Sequence, residues 1–203
     1  MITLLDTPKR FPGGIRMEPN KAQSLRQPVR PARLPERLYV PLSQHIGEPA
    51  EALVAEGDSV LKGQLIARSL SYISAPIHAP TSGRVIDIGD YRVPHPSGLK
   101  APCIVIAADG ADRSAATGMD MASVLAADPA EIRRGVRDAG IVGLGGAGFP
   151  TSVKLNPGPG REVELLVINA AECEPYISCD EALMCTRPVE IIEGIRIMRH
   201  ALH

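Results

Sequence analysis

Tryptophan is absent, and only two Phe and four Tyr occur among 203 residues, so a core here must be built from Val, Ile, Leu and Ala. No stretch approaches the roughly 20 consecutive apolar residues of a membrane-spanning helix, which excludes a bilayer span. Where a signal peptide needs an apolar centre, the first 20 residues carry Lys9, Arg10, Arg16 and prolines, so no export and a cytosolic setting are expected. The four cysteines (Cys103, Cys173, Cys179, Cys185) would then sit in a reducing compartment, which argues against a disulfide framework. At 44% hydrophobic and 22% charged with a net charge of -1, the composition excludes a wholly disordered or coiled-coil chain. The length suits one good domain or two small ones.

What is plentiful is turn-forming residue: 19 Gly and 19 Pro. Residues 1–37 hold eight Lys/Arg against Asp6, Glu18 and Glu36, whereas the remainder is acidic. Pro8, Pro12, Pro19, Pro28, Pro31 and Pro35 break helix within that stretch, so an extended basic arm is predicted, either solvated or docked on a partner or lipid. Nucleic acid is disfavoured, because Phe11 is the sole aromatic beside this charge and no recognition helix accompanies it.

Residues 38–110 read as a compact β unit. Short runs at 38–40, 52–54, 63–67, 83–88 and 103–106 are separated by Gly, Pro, Asp and Ser. Val54 to Gln64 and Ala79 to Asp90 each set a Gly-Asp turn beside a strand, wording that resembles the biotinyl/lipoyl carriers and their barrel-sandwich fold. A carrier would place its modifiable lysine about seven residues before Ala79. Tyr72 stands there and no lysine lies between Lys62 and Lys100, so a scaffold without swinging-arm chemistry is expected.

An irregular Ala-rich linker over 111–127, with room for a short helical turn, precedes a change of pattern. Asp128, Pro129 and Glu131 predict a helix over 129–139 stopped by Gly140. Val163 to Ile168 reads as a buried parallel strand. Ser178 and Glu181 form a capping box for a helix through Cys185, and Pro188 opens a last helix with Ile191, Ile192, Ile195 and Met198 on one face. The fold class is therefore mixed α+β: a β barrel-sandwich hybrid unit, then the start of an α/β domain over 128–203.

Two constellations carry chemistry. Gly143, Gly145 and Gly148 match G-x-G-x-x-G, but a helix ending at Gly140 precedes them where a Rossmann fingerprint requires a strand. Together with Gly146 they let backbone N–H groups converge on an anion. Phe149, a helix start at Pro150-Thr151 and Lys154 complete a cradle for phosphate or flavin. Asn169, Glu172, Cys173, Glu174 and Tyr176 lie just past the predicted strand, where α/β sheets bind ligands. Paired carboxylates repel phosphate and suit ribose hydroxyls or a carboxamide. Asn169 can meet a ring edge, and Tyr176 or Phe149 can stack on a heterocycle.

These residues resemble a known family. Gly143 through Leu155, Asn169-Ala-Ala-Glu-Cys-Glu-Pro-Tyr176 and Cys179-Asp-Glu-Ala-Leu-Met184 look like the C subunit of the Rnf ion-translocating electron-transport complex. So do the Pro41 to Pro49 segment around His45, the Ser74 to Gly83 segment around His78, and His95 to Lys100. The glycine loop and the Asn169 to Pro175 loop also resemble the flavin- and NADH-binding subunit of respiratory complex I, from which Ala171 and Cys173 depart.

The resemblance implies a peripheral subunit on the cytoplasmic face of the bacterial inner membrane, working with other subunits of the complex and through them with ferredoxin or flavodoxin. It implies a hydride passing from NADH to FMN, with the glycines and Lys154 holding FMN, and Glu172, Glu174 and Phe149 seating the nicotinamide. Two 4Fe-4S clusters belong to the family, yet the required C-x-x-C-x-x-C-x-x-x-C-P runs are absent from this chain. Cys173, Cys179 and Cys185, six apart, read as structural thiols, and His45, His78 and His95 as satisfied loop histidines rather than zinc ligands. With a single parallel strand and a last helix running uncapped to His203, the flavin domain is expected to be incomplete. The alternatives are a protein like the A subunit of the Na+-translocating NADH:quinone reductase and a non-catalytic docking scaffold.

Overall fold

The computed structural model describes Gly13, Ile15 and residues 17–95, 97–115, 118, 120–158 and 160–202. Pro8, Lys9, Arg10, Phe11, Pro12 and Arg16 of the predicted arm lie outside the described residues. By internal contacts the chain forms two units, one of residues 1–30 and 169–187, the other of residues 31–168 and 188–203.

The larger unit begins with two antiparallel sheets. One has the order β1 (Arg37–Pro41), β7 (Lys100–Ala108), β6 (Gly83–Arg92), β3 (Ser59–Val60), and the other β2 (Glu51–Ala52), β4 (Leu65–Arg68), β5 (Ile77–His78). β6 alternates buried and open residues at its start, as one face turns to the core. In β7, Cys103–Ile106 are all buried. Val60, Ile66, Val85, Ile104 and Ile106 fill the interior without one aromatic ring. The runs at 38–40, 63–67, 83–88 and 103–106 thus form strands, that at 52–54 does so only at Ala52, and the two-residue β3 and β5 join them without a run of their own. His78 accordingly lies on a strand rather than in a turn.

The segment after β7 is pinned to the barrel. The fully buried Ser82 hydroxyl donates to Asp109 at 2.7 Å, and Thr81 donates to Asp112 at 3.0 Å. That Ser82 bond, the Ala111 N–H and the Arg113 guanidinium hold the Asp109 carboxyl down at about 2.

Helices follow. In α2 (Met121–Ala126) the Asp120 carboxylate accepts from the Ser123 N–H, within what reads from sequence as linker. In α3 (Pro129–Asp138) Asp128 caps the Ala130 N–H with Pro129 at the first position. α6 (Pro188–Ala201) packs on α3 around Ile132, Leu155 and Ala201, and the Arg133 guanidinium donates to the Ala201 carbonyl, satisfying an orphan acceptor of the helix end. Ile192 departs from the expected apolar face and is 58% exposed.

The expected strand over Val163–Ile168 does not form. The segment has no regular secondary structure and no strand partner among the described residues, with Leu165 and Val167 63% and 68% exposed. A parallel strand requires neighbours on its edges to receive its N–H and C=O groups, and among the described residues none is offered.

In the smaller unit, α1 (Lys21–Ser24) is a single turn and α5 spans Cys179–Thr186. A helical turn therefore interrupts the arm expected to be extended throughout. Lys21 pairs with Glu181 at 2.9 Å and with Glu172 at 3.8 Å, and the Tyr176 N–H donates to the Pro19 carbonyl at 2.8 Å.

Candidate functional site

The glycine loop hangs from the C-terminal end of α3. Its base is closed by an isolated antiparallel bridge between Val142 and Pro150, where the Gly143 N–H donates to the Phe149 carbonyl and the Thr151 N–H to the Ile141 carbonyl, both at 2.9 Å. The Gly143 amide is therefore spent on closing the loop. Beyond it Leu144 is 95% exposed at the tip, and among the described residues nothing accepts from the N–H groups of Gly145, Gly146 or Ala147. Those three donors are open to solvent.

Lys154 brings the positive charge. It sits on α4 (Thr151–Lys154), and its ammonium lies 5.8 Å from the centre of the Phe149 ring. A Cβ at Gly143 would stand 3.0 Å from that ammonium, so glycine there leaves the lysine its place. α4 is a single turn, too short for its N-terminus to act as the anion site expected from Pro150-Thr151. What the loop offers an anion is backbone amides and one lysine. An apolar groove of about 380 Å³ in the same unit, lined by Val124, Ile132, Val136 and Ile197 among others, carries no cation to meet a phosphate.

Asn169, Glu172, Cys173, Glu174 and Tyr176 fall in the smaller unit. Asn169 closes its own loop, its side-chain oxygen accepting from the Ala171 N–H at 3.0 Å. Glu172 has a task unforeseen in the sequence. Its Oε1 accepts from the N–H groups of Asp180 and Glu181, both at 3.1 Å, and its side chain is 5% exposed. It caps α5, while the expected capping box fails: the Ser178 side chain makes no cap bond. Glu174 and Cys173 are open to solvent. Tyr176 is 55% exposed and adopts the left-handed φ of 68°, held by its bond to Pro19.

Glu172, Cys179 and Asp180 place ligand atoms within 4.8 Å of one another. Both Glu172 oxygens are engaged, Oε1 by the two amides and Oε2 by the Cys179 thiol at 3.7 Å, so the cap accounts for the cluster. Of the cysteines only Cys103 is buried, and burial pushes its thiol above its ordinary value. Cys173, Cys179 and Cys185 are exposed and build no core, contrary to the reading of them as structural thiols.

The histidines are partnered. The ring of His45 lies between the Ile46 carbonyl and the Ala75 N–H, each at 3.2 Å, and His95 meets Ser97. Burial lowers His78 from its ordinary value, opposed by a bond to the Asp138 backbone. The hairpin that would carry a carrier lysine is docked instead. Arg137 donates to the Ser71 carbonyl at 2.8 Å and lies 5.9 Å from the Tyr72 ring centre, whose hydroxyl receives Asn156 Nδ2 at 3.4 Å.

Comparison with known proteins follows the same order of barrel and helical region. Residues 9–111 match the RnfC barrel sandwich hybrid domain, and residues 136–203 the Nuo51 FMN-binding domain. The chain is 48% identical over 188 residues to the C subunit of the ion-translocating oxidoreductase complex of Pseudomonas aeruginosa, covering 93% of this chain and 24% of that protein. To the protein of the same name from Rhodobacter capsulatus it is 47% identical over 190 residues, covering 94% and 36%. Its counterpart from Haemophilus influenzae (strain 86-028NP) gives 46% over 194 residues, covering 95% and 29%. The chain thus spans roughly a quarter to a third of the length of the curated relatives it matches. A barrel-sandwich hybrid domain followed by a region of the FMN-binding kind, aligned along nearly all of this chain, places it in the family of the C subunit of the Rnf ion-translocating electron-transport complex.

Proposed function

We propose that this chain holds FMN in an Rnf-type electron-transport complex and takes part in the oxidation of NADH there. The observation that carries the reading is the glycine loop: three exposed N–H donors without partners at Gly145, Gly146 and Ala147 at its tip, and the Lys154 ammonium close to Gly143 at its base. Such a set suits the phosphate of FMN, since unpaired amides and one lysine supply donors and charge without a side chain in the way.

In this account Gly145, Gly146 and Ala147 bind the phosphate through their amides, and Lys154 neutralises it. Phe149 is half-buried beside the lysine and offers a ring face to a planar group. When bound, FMN supplies the conversion between two-electron and one-electron transfer, and the protein supplies placement and electrostatics. Glu174 and Tyr176, exposed in the smaller unit, are candidates for contact with the nicotinamide nucleotide. Glu172, bound to α5, serves by holding that loop in shape.

Tetranuclear iron-sulfur clusters do not fit the cysteines of this chain. Cys103 is buried in β7, and Cys173, Cys179 and Cys185 recur at intervals of six. No electron step within the chain is assigned to one. The partners proposed are the other subunits of the complex and, through them, ferredoxin or flavodoxin, at the cytoplasmic face of the membrane. Among the described residues no helix is long and apolar enough to cross a membrane, which suits a peripheral position.

Titrating the chain with FMN and following flavin fluorescence tests the reading. Lys154→Met should weaken binding about tenfold or more, from the loss of a charged hydrogen bond. Equal binding by Lys154→Met and the parent would take the lysine out of the site, and binding by neither would favour the docking-scaffold alternative.

A further inference from the structure

The segment from Arg137 to Phe149 is fastened to the barrel at both ends. At its start, Arg137 grips the hairpin at Ser71 and Tyr72. Gly140, with φ of 67°, lies so close to the Pro76 carbonyl that a Cβ would collide with it. At its end, Gly148 is buried with φ of 59°, and a Cβ there would stand 2.8 Å from the Gln44 carbonyl oxygen and 2.9 Å from His45 Cα. Only glycine accepts both the conformation and the approach. Between these anchors the tip, residues 144–147, is exposed.

What holds the Gln44-His45 turn is the His45 side chain. It is buried, at 8% exposure, and its two ring nitrogens are both engaged: Nδ1 with the carbonyl of Ile46 and Nε2 with the N–H of Ala75. These partners assign the neutral tautomer with the proton on Nδ1, donating to Ile46 and accepting from Ala75. Beside it the Glu48 N–H donates to the Ile73 carbonyl at 3.2 Å. The turn is thereby tied to residues 73–75, part of the hairpin that Arg137 grips.

We propose that His45 is a positioning residue for the glycine loop: by locking the Gln44-His45 turn to Ala75, it forms the seat on which Gly148 rests and so sets the posture of the donors at 145–147. His45 touches no ligand in this account. It acts through Gly148. The barrel, stripped of its carrier lysine, becomes the template for the neighbouring loop. The effect on flavin rests on the reading of that loop as the FMN cradle; the effect on the loop does not.

The experiment uses the whole chain in two readouts: amide hydrogen exchange at Gly143 and Thr151, which close the loop base, and FMN affinity by fluorescence. In His45→Ala, exchange at both amides should rise about fivefold and FMN affinity fall by a similar factor, the scale of one lost hydrogen bond. His45→Gln, which can still accept from Ala75, should recover most of both. A folded His45→Ala chain with unchanged exchange overturns the proposal, whereas raised exchange with unchanged FMN affinity sinks the flavin reading alone. Failure of the parent chain to bind FMN would sink the flavin reading alone, leaving exchange to decide the positioning role. Should His45→Ala not fold, Gly148→Ala must shift the His45 ring and Ala75 amide resonances while Gly146→Ala leaves them in place; identical spectra overturn the proposal.

Discussion

Glu172 accepts a hydrogen bond from the backbone N–H of Asp180 at 3.1 Å, and through this bond and its twin to Glu181 it takes the capping place at α5 that Ser178 leaves unfilled. The carboxylate also lies 3.8 Å from the Lys21 ammonium. Its charge is complemented by the helix N-terminus and by a cation, so an acidic loop residue that reads as a ribose acceptor is instead bound into the protein.

Glu172→Ala should raise hydrogen exchange at the Asp180 and Glu181 amides about fivefold, matching the ~1 kcal/mol worth of a helix cap. Ser178→Ala should leave those amides unchanged. Equal effects of the two substitutions would return the cap to Ser178.

Acid should loosen the barrel through Asp109. Its carboxyl is held at about 2, chiefly by the Ser82 hydroxyl and then by the Ala111 N–H and Arg113, below the unfolded value of about 3.9. A depressed carboxyl stabilises the fold above its unfolded value and loses that contribution as pH falls through its folded value. Asp109→Asn should therefore lower the denaturant midpoint at neutral pH and flatten its decline between about pH 4 and the folded value of about 2. Parallel pH curves for parent and variant would contradict this.

Tyr72→Lys restores a lysine where a carrier would bear one, yet places it beside the Arg137 guanidinium on a hairpin already gripped at Ser71. Like charges should weaken this docking, and a lipoate or biotin ligase should leave the chain mass unchanged. Modification of Tyr72→Lys at a normal carrier rate would show that the hairpin is free.

The barrel was legible because its strands are short β-rich runs bounded by Gly, Pro and Asp, as in Gly83–Arg92. β3 and β5 escaped because two residues carry no period. α3 was legible from Asp128 and Pro129, whose effects are local. The misreadings share a physical cause: each turned on a contact that the local pattern does not carry. Val163–Ile168 has a strand's composition, but a strand needs a paired edge. Ser178 has a cap's identity, but Glu172 reaches the helix from six residues upstream. The glycine loop was found by composition, whereas the seat of Gly148 on Gln44 and His45, about a hundred residues earlier in the sequence, leaves no local trace.

Amide hydrogen exchange of the whole chain with and without FMN decides most directly whether the glycine loop holds the flavin. New protection is expected at Gly145, Gly146 and Ala147, whose N–H groups have no partner in the protein among the described residues, together with its loss in Lys154→Met. FMN binding that protects other amides and leaves these three exchanging freely would contradict the cradle.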